Sequence, residues 1–153
     1  MNRPTILDGG PDDLEEMMVT MEEAFDPSFG EAWTRPQCLG LLGLPGVWLS
    51  LARAEGEPAG FALNRIIFDE AELLLIGVRP RFRQRGIGRA LVEWSIGRAA
   101  SLGAKRLHLE VRAGNPAHQL YEELGFEQIG RRPAYYRGAN GQLFDALTLA
   151  RSV

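Results

Sequence analysis

Residues 73–93 read "LLLIGVRPRFRQRGIGRALVE". An apolar run with strand character gives way to an arginine-rich loop, and Gly86-Ile87-Gly88 then opens a helical pattern. Arg79, Arg81, Arg83, Arg85 and Arg89 fall within eleven residues of a chain whose net charge is −3. The clustering predicts a bound anion. Several backbone N–H groups converging at a helix N-terminus hold phosphate, and the helix dipole favours the negative charge. Glycines let the backbone approach without a Cβ in the way. Two familiar phosphate motifs do not fit. A P-loop requires Gly-Lys-Ser/Thr, where this chain has Gly88-Arg89-Ala90. The dinucleotide fingerprint wants a third small residue where Leu91 stands, and an early βαβ unit. The plain alternative is a tight strand-to-helix turn carrying solvated arginines.

Upstream, "TIL" (5–7) reads as a short strand, and Pro11 suits a helix N1 position followed by Asp12 and Asp13 in a first turn. Leu14, Met17, Met18, Met21 and Phe25 form a helical apolar stripe, read as core. Thr34 and Gln37 have capping-box spacing for a second helix through Leu42. "VWLSLAR" (47–53), "GFALNRIIF" (60–68) and "AELLLIGV" (71–78) read as an antiparallel meander with short turns. Beyond the arginine loop, Leu91 to Ala99 mark a helix that Gly103 stops, and "KRLHLEV" (105–111) alternates as a strand. "PAHQLYEEL" is a helix ended by Gly125. "FEQIG" and "QLFDALTLA" are strands joined across "RRPAYYRGANG". The order is mixed α/β in one domain, residues 1–153.

At 153 residues, 45% hydrophobic and 24% charged, the chain suits a globular domain with a full core. No apolar stretch approaches a membrane span, and the first ten residues lack an apolar signal core, so a cytoplasmic protein is expected. The lone Cys38 forms no internal disulfide and sits among leucines as a small hydrophobe. The cysteine and the two histidines have no ligand-like spacing, so no metal is expected. Residues 1–31 carry nine acids against Arg3 alone. That is either a solvated helix face or a docking surface for a basic protein. Nucleic-acid binding through the arginines is disfavoured by the acidic net charge and the lack of interleaved aromatics.

The window from Leu73 to Glu93 resembles the cofactor motif of the GNAT superfamily of acetyl-CoA-dependent N-acyltransferases, with Arg83-Gln84-Arg85-Gly86-Ile87-Gly88 matching Arg/Gln-x-x-Gly-x-Gly/Ala. "LEVRAGN", "LYEELGF" and "RRPAYY" are further similar to the RimI branch, which acetylates the N-terminal alanine of a small-subunit ribosomal protein. The resemblance implies a central, mostly antiparallel sheet flanked by helices, with acetyl-CoA as co-substrate. It implies that Ile76, Gly77 and Val78 line the pantetheine arm, that the loop Arg83 to Arg89 takes the pyrophosphate, and that Asn115 contacts the coenzyme. One departure bears on the last: six steps separate Asn115 from Tyr121, where the family usually has seven.

Acetylating an amine needs a neutral amine and a proton for the departing thiolate. A peptide α-amine (pKa about 7.7–8.0) is roughly a tenth neutral at pH 7. A lysine ε-amine near 10.4 is neutral about four times in ten thousand, a difference of about 4.6 against about 1 kcal/mol. One carboxylate base therefore suffices for an α-amine. Glu110, off the leucine face of its strand, matches the family's catalytic glutamate; its plain alternative is a surface pair with Arg112 or Lys105. Tyr121 matches the family's acid, or else packs the core. Tyr135 and Tyr136 resemble substrate-side tyrosines, or form cross-strand packing, and Trp33 is either a substrate rim or core. His108 reads as a packing or hydrogen-bonding residue. The expected acceptor is a protein or peptide N-terminus, with no direct nucleic-acid or membrane partner. The competing readings are a small-amine acetyltransferase for an antibiotic or polyamine, and a non-catalytic acyl-CoA sensor.

Overall fold

A computed structural model describes residues 3–153. Among the described residues, four α-helices flank one seven-stranded sheet. The strands are β1 (Thr5–Gly9), β2 (Val47–Ala54), β3 (Glu57–Ile67), β4 (Glu70–Val78), β5 (Arg106–Arg112), β6 (Glu127–Arg137) and β7 (Leu143–Ser152). The helices are α1 (Leu14–Ala24), α2 (Arg35–Leu42), α3 (Ile87–Ser101) and α4 (Ala117–Glu123). The spatial order β1-β2-β3-β4-β5-β7-β6 contains one parallel pair, β4–β5, which the α3 crossover makes possible. Pro11 opens a 3-10 turn ahead of α1, so that helix proper starts at Leu14. The expected capping box starts α2: Thr34 N–H donates to Gln37 Oε1 at 2.8 Å, and Gln37 N–H to Thr34 Oγ1 at 3.3 Å.

The meander turns are tighter than the sequence suggests. Glu55 (φ 55°) and Gly56 (φ 77°) alone join β2 to β3, both left-handed as a two-residue hairpin of this hand requires, so β3 starts at Glu57. A larger difference lies at the far edge. The expected "RRPAYYR" connection is instead strand, and only residues 138–142 link β6 to β7. Because β6 is an edge strand, Pro133 is tolerated within it, and its register shifts between Arg132 and Tyr136. Asp145 braces this irregularity by accepting from Ala134 N–H at 2.9 Å and Arg131 Nε at 2.7 Å.

The sheet separates two cores. Phe82, Leu91 and Val92 pack with Leu107, Leu109 and Leu149 on one face, and Met17, Met21 and Cys38 with Leu49, Phe61 and Leu63 on the other. Cys38 is fully buried, as its leucine neighbours imply. Because Leu107, Leu109 and Val111 enter the α3–α4 core, the period of two turns His108 and Glu110 to the opposite face.

One feature of the sheet positions everything else. The β4–β5 pairing runs from Glu70↔Arg106 to Leu73↔Leu109 and stops. At that level the β3 partners step from Leu75 to Leu73, leaving Leu74 as an extra residue on β4. Such a bulge bends its strand. From Leu74 to Val78, the β5-facing edge of β4 therefore has no strand partner, and a cleft opens between the two strands.

Candidate active site

The cleft is a cavity of about 720 Å³. At one end stands the N-terminus of α3. Gly86 is its N-cap in the left-handed region (φ 78°) and has no side chain to cap the first N–H groups of the helix. Gln84 is also left-handed (φ 62°), so the loop is wound tightly before the helix starts. A Cβ on Gly88 would stand 3.7 Å from Leu120 and 3.9 Å from Val78, inside the gap between helix and strand. Uncapped amides, a positive helix end and a strand with free backbone groups suit a phosphate followed by an extended amide-bearing arm.

The arginines do a different job from the one their clustering suggests. Arg85 lies outside the cavity lining, with Nη1 3.0 Å from Glu55. Arg81 pairs with Glu57 at 2.8 Å, and Arg79 with Glu23 at 3.1 Å. Arg89 pairs with Glu123 of α4. Arg83 does line the cavity, but its Nη2 donates to Ala24 O at 2.6 Å and its Nε to Val78 O at 3.2 Å. Most of the cluster thus fastens the loop to its neighbours, and the anion-binding character rests chiefly on backbone N–H groups.

At the other end stand the ionisable side chains. Glu110, with its side chain 11% exposed, accepts from Thr148 Oγ1 at 2.7 Å and lies 3.1 Å from Arg132 Nε. Neither expected partner is its own: Arg112 pairs with Glu31, and Lys105 with Asp69 at 3.9 Å. Tyr121, on α4, is buried and meets Phe126 edge-on at 5.8 Å, so it packs the core and lines the cavity at once. Burial, with the Glu31 carboxylate second, holds its phenol well above the ordinary tyrosine range. Tyr136 is raised for the same reasons, with Tyr135, Glu110 and Tyr121 adding to the effect. Tyr135 and Tyr136 stack edge-on at 4.9 Å. Trp33 packs against the α1–α2 core and also lines the cavity.

The cavity wall thus gathers Ile76, Gly77, Val78, Arg83, Gln84, Gly86, Ile87, Gly88, Arg89 and Asn115 with Glu110, Tyr121, Trp33, Tyr135 and Tyr136, and leaves out Arg85. Asn115 is engaged within the protein: its Oδ1 accepts from Ala117 N–H at 2.9 Å at the start of α4, and its Nδ2 donates to Glu31 at 3.0 Å. Sequence reasoning missed Glu31, counting it as one of the acidic run, and missed Phe29 and Arg112 as wall residues. The signal was there in outline. Glu31 lies beyond the helical stripe, between Gly30 and Trp33, where no helix face needs a solvating charge.

His108 is the hydrogen-bonding residue expected, its Nδ1 2.6 Å from Glu70 and its Nε2 3.5 Å from Glu72. The Glu72 and Glu70 carboxylates hold its pKa above the ordinary imidazole value, against its partial burial. Among the described residues no cluster of metal-ligating side chains occurs, and no helix is long and apolar enough to cross a membrane.

Residues 14–126 match the model of the acetyltransferase (GNAT) family, and the chain belongs to that family. A similar relative is the [ribosomal protein bS18]-alanine N-acetyltransferase of Salmonella typhimurium, 43% identical over 98 residues, covering 63% of this chain and 66% of that one. The Escherichia coli enzyme of the same name is 42% identical over 96 residues, covering 62% of this chain and 64% of its own. The matched stretch therefore spans just under two thirds of these relatives. The crystal structure of the ribosomal-protein-S18-alanine N-acetyltransferase from E. coli superposes with a TM-score of 0.88 at 32% identity, covering 99% of this chain and 94% of that one. Arabidopsis thaliana NAA60 in complex with acetyl-CoA shares the fold, with a TM-score of 0.80 at 21% identity over 99% of both chains.

Proposed function

We propose that this protein is an acetyl-CoA-dependent N-acetyltransferase whose acceptor is a protein N-terminal α-amine, that of an alanine-led small-subunit ribosomal protein. The observation that carries the reading is the placement of Glu110 and Tyr121 on one cavity whose other end is the uncapped N-terminus of α3. The names of the S. typhimurium and E. coli relatives support the acceptor, and the acetyl-CoA held by a protein of the same fold supports the co-substrate.

The residues fit the coenzyme as a group. The amides from Gln84 to Arg89 would receive its pyrophosphate, and the free edge of β4 at Ile76 and Val78 would bond the pantetheine amides. When bound, it supplies an acetyl group activated as a thioester. Glu110 is fixed by Thr148 and Arg132, so its carboxylate is aimed into the cavity without having to reorganise. It would take one proton from the entering ammonium, directly or through water, so that the neutral amine can form the C–N bond as the C–S bond breaks. Tyr121, whose raised pKa keeps it protonated, would donate to the leaving sulfur, and the second amine proton, released as the amide forms, would return to the phenolate through water.

The test is the rate of Glu110→Gln against wild type across pH 6–9 on an alanine-led peptide. Loss of the base predicts a roughly 10²–10⁴-fold lower kcat, recovering as the amine deprotonates unaided, with acetyl-CoA affinity unchanged. Equal rates throughout would remove Glu110 from the mechanism.

A further inference from the structure

The segment between α1 and α2 enters the cavity wall through Phe29, Glu31 and Trp33. Its base is clipped to the β6–β7 turn by backbone. Ala139 N–H donates to Pro27 O at 3.0 Å, and Gly30 approaches so closely that a Cβ there would stand 1.9 Å from Arg137 O. Glu31 reaches the other way. Its Oε1 is 3.3 Å from Arg112 Nε at the end of β5, and its Oε2 accepts from Asn115 Nδ2 at 3.0 Å. Asn115 in turn caps α4 through Ala117 N–H. One carboxylate thus ties the segment to β5, which carries Glu110, and to α4, which carries Tyr121.

Electrostatics gives the tie its strength. Arg112 is 8% exposed, with its guanidinium 3.7 Å over the Phe29 ring. A buried cation requires a counter-charge, and removing the partner leaves it uncompensated. Glu31, with its side chain 13% exposed, is that partner. The pair is unrelated to the fastening of the glycine-arginine loop, which uses Glu23, Glu55 and Glu57. Among the described residues, Glu31 makes the segment's only side-chain hydrogen bond to the β5–α4 connection.

We infer that Glu31 is a positioning residue: by bridging Arg112 and Asn115 it latches the α1–α2 segment across the cleft and builds the acceptor's wall before substrate arrives. Its effect falls on acceptor binding and leaves the coenzyme end alone, because Arg112 and Asn115 lie at the Glu110–Tyr121 end and the Asn115 amide, spent on Glu31 and Ala117, is engaged within the protein instead of on the coenzyme as the family resemblance implied. A wall already in place spares the acceptor the cost of ordering it. The inference rests on the acetyltransferase reading.

The test combines hydrogen exchange with steady-state kinetics on the full chain, for Glu31→Gln and for the double variant Glu31→Gln/Arg112→Met. The single variant leaves a buried cation unpartnered and can fail to fold. The double variant removes both charges and keeps an unbranched stem over Phe29. For the double variant, amides 28–34 should exchange at least about tenfold faster, with α3 unchanged. The KM for an alanine-led peptide should rise about tenfold or more, while the acetyl-CoA Kd stays within about twofold. Unchanged exchange in 28–34 would overturn the latch. So would an acetyl-CoA Kd that weakens by the same factor as the peptide KM, which marks a general collapse of the cavity. The exchange measurement needs no turnover. A wild-type protein that transfers nothing to peptides would therefore overturn the acetyltransferase reading alone, and the latch would still be decided.

Discussion

Single residues on the Glu110 face of the sheet are each held by a partner from another strand. Glu110 leans on Thr148 and Arg132, and His108 on Glu70 and Glu72, with Arg106 2.9 Å from Glu70 and Arg65 2.8 Å from Glu72. Two outcomes follow at this scale. Tyr121→Phe removes the proposed proton donor and keeps the packing ring. It should lower kcat by roughly 10²–10⁴ with little change in stability. Because the phenol's pKa is raised, wild-type activity should show no alkaline limb due to this group up to pH 9; a limb near pH 8 that vanishes in the Phe variant would contradict the assignment. His108 supplies the second. Its folded pKa is raised, so its stabilisation is complete below the unfolded value of about 6.5 and fades as pH rises through the folded value. Glu72, lowered mainly by His108, loses its share as pH falls below the ordinary carboxylate range. Thermal unfolding of wild type should therefore drop between pH 6 and 9 by more than that of His108→Gln; parallel curves would remove His108 from the account.

At the scale of elements, the turn from β4 into α3 is where chain conformation and ligand chemistry meet. Gly86 sits at φ 78°, with open space where a Cβ would be. A β-branched residue there is strained whatever the room, and it distorts the amides that face the cavity. Gly86→Val should abolish stabilisation by acetyl-CoA while leaving the apo fold cooperative, as thermal shift would read; a normal shift would place the phosphate site elsewhere. This turn was legible in the sequence because glycines and a change of period mark it. The core face of β5 and the cap of α2 were legible for the same kind of reason, local spacing. What was not legible depended on contacts distant in sequence. Arg79, Arg81 and Arg85 looked like ligands for an anion until Glu23, Glu55 and Glu57 arrived from α1, the β2–β3 turn and the start of β3. Residues 131–137 read as a connection, and edge position with the Asp145 brace makes them strand. Glu31 was one acid among nine until the fold carried it to Arg112 and Asn115, 81 and 84 residues away.

For the molecule as a whole, the cleft opened by the β4 bulge joins an end suited to phosphate and an end lined by Glu110, Tyr121 and Tyr136. A ligand bridging the first end to the acetyl position should stabilise the fold: acetyl-CoA at 100 times its Kd is expected to add about 2.7 kcal/mol. The acidic N-terminal region contributes less free charge than its composition suggests. Glu15 pairs with Arg35, Glu16 with Arg53 at 3.7 Å and Glu23 with Arg79, while Asp13 caps Gly10 and Asp26 caps Ser28. On the proposed reading, selection of the acceptor would fall to the cavity and its carboxylate base, which would favour an α-amine over a lysine by the amine pKa alone. The direct measurement of that claim is transfer of labelled acetyl from acetyl-CoA to an alanine-led peptide, beside its N-terminally blocked copy with an internal lysine, spermidine and an aminoglycoside. The free N-terminus should be labelled and the blocked copy left unlabelled. Equal labelling of the blocked copy, or preference for either small amine, would contradict it.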